Sequence, residues 1–233
     1  MGRLKGEVRQ LKGKEYVVVS DFDGTITLED TNNLLFLICG NAENEKIEAD
    51  YYAGAVSNRE GMARHFEVMP LTLDGYYAFL DAEIHIDPGF DAFLEELRRQ
   101  EIPFFIVSAG FRQGILRILG EERVRGVEIL ANDLLGEPYL KPRFTMDPAC
   151  EKPIGPCGNC KRACLAAIRE KTKRKIVYIG DGLTDRCAIE GADLLFAKDA
   201  LADYCRAYDV AYVPFESFAD VRDYLWGEQG GRL

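Results

Sequence analysis

Short apolar runs rich in β-branched residues alternate along the chain with stretches whose apolar residues recur at helical spacing. The apolar runs predict strands at 16–20, 103–108, 175–180, 193–197 and 210–213. The helical spacing predicts helices between and after these strands, at 88–100, 111–119, 160–171, 184–190, 200–207 and 217–226. This alternation predicts an α/β fold, a Rossmann-like, mostly parallel sheet with helices on both faces.

The segment between the first two predicted strands departs from this alternation. It contains no convincing strand, and its pattern predicts helices at 31–39, 43–52, 58–68 and 73–83. A helical block in this position suggests an insertion that covers the ends of the strands. We therefore expect a catalytic core formed by residues 1–28 and 88–233, and an inserted helical cap domain formed by residues 29–87.

A second irregular stretch lies later in the chain, at 126–144. Its apolar run 127–130 is followed by Asn-Asp and Gly-Glu-Pro, which are typical of turns. This pattern predicts a β-hairpin beside the main sheet.

Charge and composition limit the possible partners. The formal net charge of -10 argues against nucleic acids and anionic membranes, which bind basic surfaces. A small phosphorylated metabolite remains compatible, because local lysines and a metal can set the field inside one cleft. Residues 1–14 lack the apolar core of a signal peptide, and no apolar run approaches a membrane span. Seven cysteines, an odd number, then favour reduced thiols in a cytoplasmic protein.

The first predicted strand is followed directly by Asp21-Phe22-Asp23-Gly24-Thr25. Two acids two residues apart on an extended chain point to the same side. Such a pair can hold a divalent cation, and one acid can attack an electrophile while the other moves protons. An ordinary Asp-Gly turn is the alternative. A turn alone would not need two acids at the mouth of a β-branched strand.

Polar residues also follow two later strands. Ser108-Ala109-Gly110 follows the second predicted strand, and Gly180-Asp181-Gly182 follows the third, with Asp185 three residues further on. Lys161 lies at the start of a predicted helix between them. Ligands of open α/β sheets bind beyond the carboxyl ends of the strands, so we expect these residues to share one site.

This set of residue types suits phosphoryl transfer, in which positioning and charge neutralisation supply most of the catalysis. Mg²⁺ prefers oxygen ligands, which the carboxylates of Asp21 and Asp181 and the backbone carbonyl of Asp23 can supply. Asp21 as nucleophile would form a phosphoaspartyl intermediate. Asp23 would protonate the leaving alkoxide and then activate water.

Other residues can hold the phosphoryl group itself. Lys161 can pair with a nonbridging phosphate oxygen. Ser108 and the amides of Ala109 and Gly110, which open toward a predicted helix, can donate hydrogen bonds to it. Ser108 as an ordinary helix cap is the alternative for that residue.

The four motifs together resemble the haloacid dehalogenase superfamily. Its pattern is Asp-x-Asp-x-Thr, a Ser or Thr after the second strand, a Lys, and then Gly-Asp-x-x-x-Asp, and all four occur here in order. The resemblance implies a magnesium-dependent phosphatase, because the second acid is Asp23 and not an uncharged residue. It further implies that Thr25 contacts the phosphate and that Asp185 supports the metal site or Lys161.

The helical insertion resembles the cap of the phosphoserine phosphatase-like subfamily. A cap of this kind excludes water and binds the leaving group. In that subfamily an acid shortly after the first motif contacts the substrate, and Asp30 occupies this position. Further candidates for substrate contact on the cap are Glu29, Arg59, Arg64 and Phe66. For the two arginines, a solvated helix face shared with Glu60 and Glu67 is the alternative.

Several stretches resemble one branch of these phosphatases, which acts on 2-hydroxy-3-keto-5-methylthiopentenyl-1-phosphate in methionine salvage. They are residues 21–27, 58–70, 101–110 and 193–200 and the cysteine segment before Lys161. The branch also contains phosphoethanolamine and phosphocholine phosphatases, and the catalytic motifs do not separate these substrates from each other or from phosphoserine. Two other classes stay open, a phosphoaspartyl switch and a non-catalytic, zinc-stabilised module. Asp23 and the cap argue against the switch.

Four cysteines precede or begin the helix of Lys161: Cys150, Cys157, Cys160 and Cys164. As thiolates they could bind zinc, although the second CxxC of a zinc ribbon is missing. Redox control is a further alternative. The favoured interpretation is that these thiols pack a loop that places the lysine.

Overall fold

A computed structural model describes residues 15–145 and 155–227 of the chain. Its strands are β1 Tyr16–Ser20, β2 Phe104–Phe111, β3 Val127–Leu135, β4 Lys141–Arg143, β5 Lys175–Gly180, β6 Leu194–Ala197 and β7 Val213–Pro214. They form one sheet in the order β4-β3-β2-β1-β5-β6-β7. All neighbours are parallel except β3 and β4, which form the predicted hairpin. The predicted α/β fold is confirmed, and β3 is itself a parallel strand of the main sheet.

Helices occupy most of the predicted positions. Four lie between β1 and β2: α1 Thr31–Cys39, α2 Ala42–Tyr52, α3 Asn58–Val68 and α4 Leu73–Glu83. The others are α5 Phe90–Arg99, α6 Arg112–Val124, α7 Lys161–Thr172, α8 Asp199–Ala207 and α9 Phe218–Trp226. Polar side chains begin the four inserted helices, since Asp30, Asn41, Ser57 and Thr72 each accept from backbone N–H groups of the first turn.

The helix predicted at 111–119 continues to Val124 past a kink at Gly120. Three further predicted elements differ from the structure. The helix predicted at 184–190 is two short 3₁₀ helices, Leu183–Cys187 and Ile189–Gly191. The carboxylate of Asp185 accepts from the Gly182 N–H and thereby closes a tight turn in place of an α-helical start. The last strand is Val213–Pro214 instead of 210–213, and Pro214 offers no N–H for a longer ladder.

The third difference concerns β2, which continues to Phe111 and does not end at residue 108 as predicted. Its pairing with β3 is irregular between Val107 and Phe111. Residues 108–110 therefore form an irregular segment within the strand, and α6 begins only at Arg112. The backbone at Ala109 and Gly110 does not open directly into a helix, contrary to the sequence-based expectation.

Apolar side chains bury both faces of the sheet. On one face Val18, Ile106 and Val177 pack with residues of α5, α6 and α9. On the other face Val17 and Val19 pack with residues of α7 and α8. The strands of this sheet centre are buried on both sides, which explains their uninterrupted apolar runs.

The helices inserted between β1 and β2 have a core of their own. Buried residues of α1, α3 and α4, among them Leu35, Phe66 and Phe79, cluster with Phe111 of β2 and Leu134 of β3. The insertion thus packs against the sheet near the carboxyl end of β2. Within residues 15–145 and 155–227, no helix combines the length and the apolar character that a membrane span needs.

Candidate active site

The centre of the sheet brings three strand ends together. β1 lies between β2 and β5, and Ser20 is paired with Ile106 on one side and Ile179 on the other. After β1 the chain adds β2, β3 and β4 on one side of that strand, and it then adds β5, β6 and β7 on the other side. The strand order therefore reverses at β1, and ligands of such sheets bind at this switch point. Asp21, Ser108 and Asp181 therefore lie at the same edge, as the sequence predicted.

Lys161 is buried between two of the acids at this edge. Its Nζ lies 2.6 Å from Asp21 Oδ2 and 2.5 Å from Asp185 Oδ1, and its side chain is 2% exposed. Burial alone would favour the neutral amine, but the charges of Asp185 and Asp21 outweigh it and raise the pKa of Lys161. The lysine is a fixed cation in contact with both carboxylates.

The carboxylate of Asp185 accepts hydrogen bonds from four donors. Oδ1 accepts from Lys161 and from the hydroxyl of Tyr178, while Oδ2 accepts from the N–H groups of Asp181 and Gly182. An ionised carboxylate has about four lone-pair sites, so these donors saturate it. Asp185 therefore holds Lys161 and the turn at Asp181 in place. The sequence reasoning missed Tyr178, although it lies two residues before Gly180 on β5.

Asp21, Asp181 and Asp185 each offer a ligand oxygen, and these oxygens lie within 4.8 Å of one another. Burial and then the charge of Asp185 raise the pKa of Asp21 well above its usual value and that of Asp181 to about 7. One ammonium, that of Lys161, does not balance this negative charge. The donor set of carboxylate oxygens with surplus charge fits a hard divalent cation such as Mg²⁺.

The turn after β1 is shaped around Asp181. Gly24 has φ +76°, and a Cβ built there would lie 2.5 Å from Asp181 Oδ2, so only glycine fits. The hydroxyl of Thr25 donates to Asp181 Oδ1, and Thr25 is fully buried. In this structure Thr25 orients a carboxylate of the acidic cluster, and its expected phosphate contact stays a prediction.

Asp23 is held by the irregular segment of β2. Ser108 Oγ donates to Asp23 Oδ2 at 2.9 Å and accepts from the Gly110 N–H at 2.7 Å. Burial raises the pKa of Asp23, and hydrogen bonds, that from Ser108 among them, oppose part of this rise. Ser108 is fully buried, and its hydroxyl donates to Asp23. Ala109 and Gly110 face the cavity that is described next.

Gly110 allows a test of this arrangement, because an added Cβ would lie 2.4 Å from Asp23 Oδ2. We expect Gly110→Ala to displace the Asp23 carboxylate and to lower kcat by about 10²-fold, the usual contribution of a positioned acid–base group. Steady-state kinetics with an aryl phosphate would measure this loss. Gly61→Ala in helix α3 is the matched control, since the atom nearest to its added Cβ would be 3.8 Å away. Equal rates for both variants would contradict the placement of Asp23.

A cavity of about 340 Å³ lies between these strand ends and the inserted helices. Asp30 is on its wall, where its carboxylate accepts from the N–H groups of Asn32 and Asn33 and so begins α1. Desolvation by the surrounding protein, and then the negative charge of Asp23, raise the pKa of Asp30 to about 6. Asp30 therefore lines the cavity, and its contact with a substrate stays a prediction.

The structure does not bring the other cap candidates to this cavity. The guanidinium of Arg59 lies over the ring of Phe144, and Arg64 pairs with Glu60 at 2.7 Å on an exposed helix face. Phe66 is 3% exposed and packs in the apolar core of the insertion. Glu29 accepts from the backbone N–H of His85.

The cavity wall from the insertion consists instead of residues that the sequence reasoning missed: Asn32, Asn33, Tyr51, Tyr52, Asn58 and Met62. One signal was available in the sequence, because Asn32 is a polar residue only two positions after the candidate Asp30. The others depend on how the helices rest on the sheet.

The cysteine segment supports the helix of Lys161. Cys157, Cys160 and Cys164 are buried, and in the described part of the chain they do not belong to a group that could hold a metal ion. Cys164 Sγ donates to Asn159 Oδ1, and Asn159 Nδ2 donates to the carbonyls of Ser108 and Leu130. The segment thus ties α7 to β2 and β3. Cys150, the fourth cysteine of this segment, lies outside the described residues, as do residues 1–14.

Comparison with known proteins agrees with this fold. The chain belongs to the haloacid dehalogenase-like hydrolases, whose family model matches residues 18–190. Like its relatives, this protein is a phosphoric monoester hydrolase.

Two relatives and one solved structure illustrate the similarity. A 2-hydroxy-3-keto-5-methylthiopentenyl-1-phosphate phosphatase of Exiguobacterium sp. is 34% identical over 90% of this chain and 97% of its own. Pdp3-interacting factor 1 of Schizosaccharomyces pombe is 31% identical over 89% of this chain and 93% of its own. A phosphoserine phosphatase structure with a phospho-aspartyl intermediate analogue has a TM-score of 0.68 at 17% identity, covering 92% of this chain and 100% of that one.

Proposed function

We propose that the protein is a Mg²⁺-dependent phosphatase that hydrolyses a small phosphomonoester through a phosphoaspartyl intermediate on Asp21. The observation that carries this proposal is the buried Lys161, held between Asp21 and Asp185 beside a third acid, Asp181. A fixed ammonium within an acidic cluster at the sheet's switch point suits an anionic phosphoryl group.

Mg²⁺ would be held by the carboxylates of Asp21 and Asp181 and by the backbone carbonyl of Asp23, with Asp185 supporting them. When bound, it supplies positive charge that stabilises the anionic transition state. The same charge would offset the burial that raises the pKa of Asp21 and Asp181, and so keep both ionised.

Side chains of this protein carry out the attack on phosphorus and the proton transfers. The carboxylate of Asp21 attacks phosphorus, and the alkoxide leaves with the proton of Asp23. Asp23, whose pKa is raised by burial, is suited to hold that proton before the step. The resulting carboxylate of Asp23 then takes a proton from the water that hydrolyses the acyl phosphate. Lys161 and the cavity-facing backbone of Ala109 hold the phosphoryl oxygens, whereas the Gly110 N–H is already donated to Ser108 Oγ.

Residues 29–87 act as the cap domain on a core formed by 1–28 and 88–233 in this proposal. Helices α1, α3 and α4 of this segment share an apolar core, and α1, α2 and α3 contribute one wall of the cavity. The cap would exclude bulk water while Asp21 attacks phosphorus, and it would contact the leaving group through Asp30.

The proposed substrate is 2-hydroxy-3-keto-5-methylthiopentenyl-1-phosphate. It is supported by the relative of that name, which matches this chain over nearly its whole length. Phosphoethanolamine or phosphocholine is the second candidate, favoured by the Asp30 carboxylate on the cavity wall, which suits a cationic leaving group. Phosphoserine is the third candidate substrate.

A screen of these phosphomonoesters, with Mg²⁺ or with EDTA, tests the proposal. We expect phosphate release from at least one of them, with the enol phosphate turned over fastest, and loss of turnover in EDTA that returns with added Mg²⁺. The raised pKa of Asp181 predicts that the apparent affinity for Mg²⁺ falls as the pH drops below about 7, because protons then compete for the ligand. Absence of metal-dependent hydrolysis of every phosphomonoester would refute the proposal.

A further inference from the structure

Two buried asparagines bind the backbone of the irregular segment of β2, residues 108–110. Asn159 Nδ2 donates to the carbonyl of Ser108 at 2.7 Å. Asn132 Nδ2 donates to the carbonyl of Ala109 at 2.8 Å. Both asparagines are at most 1% exposed and lie outside the cavity wall. The pairing of β2 with β3 is interrupted here, and the two amides satisfy backbone carbonyls of the interrupted stretch.

Asn159 fixes the direction of the Ala109 N–H. The peptide bond between Ser108 and Ala109 is trans and planar, so its C=O and its N–H point in opposite directions. The carbonyl of Ser108 points to the amide of Asn159. The Ala109 N–H therefore points away from Asn159, toward the cavity that Ala109 lines. This N–H is the backbone donor of the proposed phosphoryl site.

Asn132 fixes the next peptide in the same way. Because the carbonyl of Ala109 points to Asn132, the Gly110 N–H points to the opposite side. There it donates to Ser108 Oγ at 2.7 Å. The Ser108 hydroxyl, whose oxygen accepts this bond, donates its own proton to Asp23 Oδ2. Asn132 therefore acts on the proposed acid–base group and not on the phosphoryl site.

The amide of Asn159 is itself held in one orientation. Its Nδ2 also donates to the carbonyl of Leu130 at 2.8 Å, and its Oδ1 accepts from Cys164 Sγ at 3.2 Å. Burial raises the pKa of the Cys164 thiol to about 12, so the thiol keeps the proton that it donates. Asn159 lies two residues before Lys161, the first residue of α7. One side chain thus links the helix of the ammonium to the peptide of the Ala109 N–H.

We infer that Asn159 and Asn132 are positioning residues for two different parts of the reaction. Asn159 sets the Ala109 N–H against the phosphoryl oxygens, and Asn132 sets Asp23 for proton transfer to the leaving oxygen. The inference rests on the proposed phosphatase function and deepens the assignment of that site. Because neither asparagine lies on the cavity wall, the loss of each amide is measured through the group that it orients.

Vanadate tests the role of Asn159, because its trigonal bipyramidal adducts resemble a phosphoryl group during transfer. We expect Asn159→Ala to raise the inhibition constant of vanadate by about tenfold or more, since a displaced donor costs most where the transition state is bound. The value of kcat/KM should fall by a similar factor. Asn132→Ala should change the inhibition constant less than about threefold, because the peptide that it orients makes no bond to the phosphoryl group. Partial misfolding lowers the amount of active enzyme but leaves an inhibition constant unchanged.

The leaving group tests the role of Asn132. Phenyl phosphate has nearly the shape of p-nitrophenyl phosphate but releases a more basic oxygen, so it depends more on the acid Asp23. We expect Asn132→Ala to lower the kcat/KM ratio of phenyl to p-nitrophenyl phosphate by about threefold or more, through weaker protonation of the leaving oxygen. Asn159→Ala should leave this ratio unchanged. The constant kcat/KM suits the comparison because it covers the steps up to departure of the leaving group.

Asn44→Ala is the matched control. Asn44 is 1% exposed, and its Nδ2 also makes two bonds, to the ring and the carbonyl of His65 in the insertion. Its loss should lower stability in urea but leave the vanadate inhibition constant and the substrate ratio as in the wild type. Asn159→Ser and Asn132→Ser keep one shorter donor and should shift the same quantities in the same directions by less. They carry the test if an alanine variant does not fold.

The outcomes separate this inference from the function on which it rests. If the wild-type protein hydrolyses no phosphomonoester, the proposed function fails. If it hydrolyses them but the Asn159 variants bind vanadate like the wild type, the inference is overturned and the phosphatase stands. The inference is also overturned if the Asn159 and Asn132 variants shift both quantities alike, as a general displacement of the segment would do, or if Asn44→Ala has the same effects.

Discussion

Asp21→Asn should lower kcat by at least about 10⁴-fold, since the variant lacks the nucleophile on which the proposed covalent step depends. An amide has the shape of the carboxylate but is a far weaker nucleophile, and it carries no charge for a cation. The effect should be present at saturating substrate, because the missing bond forms only during the reaction. Steady-state kinetics, with acid-quenched protein analysed by mass spectrometry for an aspartyl phosphate, would measure it.

The fold of this variant should survive. The Asp21 side chain accepts from the Phe22 N–H at 2.7 Å, and an amide oxygen can accept in the same way. Lys161 keeps its partner Asp185, and the repulsion between Asp21 and Asp185 disappears. Asp74→Asn, at an exposed position in the first turn of α4, is the matched control. Wild-type rates for Asp21→Asn, or an aspartyl phosphate still present in it, would show that another group attacks phosphorus.

The catalytic core was predictable from the sequence because strand ends in a parallel sheet share one edge. Asp21 and Asp181 each follow an uninterrupted apolar run, and such runs predict buried strands without further information. β1 and β5 match their predicted bounds, and they are neighbours in the sheet. Once the strands are known, topology alone brings these two acids together.

The wall formed by the insertion was not predictable in the same way. The helices α1 and α3 were predicted at their observed bounds, yet Arg64 and Phe66 do not reach the cavity, whereas Asn32 and Asn58 do. Which face of a helix meets the sheet depends on packing between distant segments. Helical periodicity identifies an apolar face, but it does not say which polar residues at the border of that face enclose a ligand.

The irregular end of β2 shows a second limit. The run before Ser108 predicted the strand correctly, but the strand continues to Phe111 through a segment whose pairing with β3 is interrupted. This irregularity lets Ser108 donate to Asp23 and accept from Gly110. Such bulges arise from long-range pairing, here with β3, and leave little local signal.

Lys161→Met should be the most destabilising substitution at the site, and it should also lower kcat/KM by about 10²-fold or more through loss of a fixed charge on the phosphoryl group. The lysine is buried between Asp21 and Asp185. Removing one partner of a buried ion pair leaves charge without compensation, which costs about 3–5 kcal/mol of unfolding free energy. Urea denaturation, followed by circular dichroism, would measure the change.

The chain contains a matched control for this prediction. Lys171 pairs with Glu128 at 2.5 Å, the same distance as between Lys161 and Asp185. The side chains of Lys171 and Glu128 are both exposed. Exposed pairs contribute about 0–1 kcal/mol, so Lys171→Met should unfold close to the wild-type midpoint. If the two variants lose equal stability, burial does not set the strength of the Lys161 pair. Added Mg²⁺ should recover part of the stability lost in Lys161→Met, because a second cation would then face the same acids.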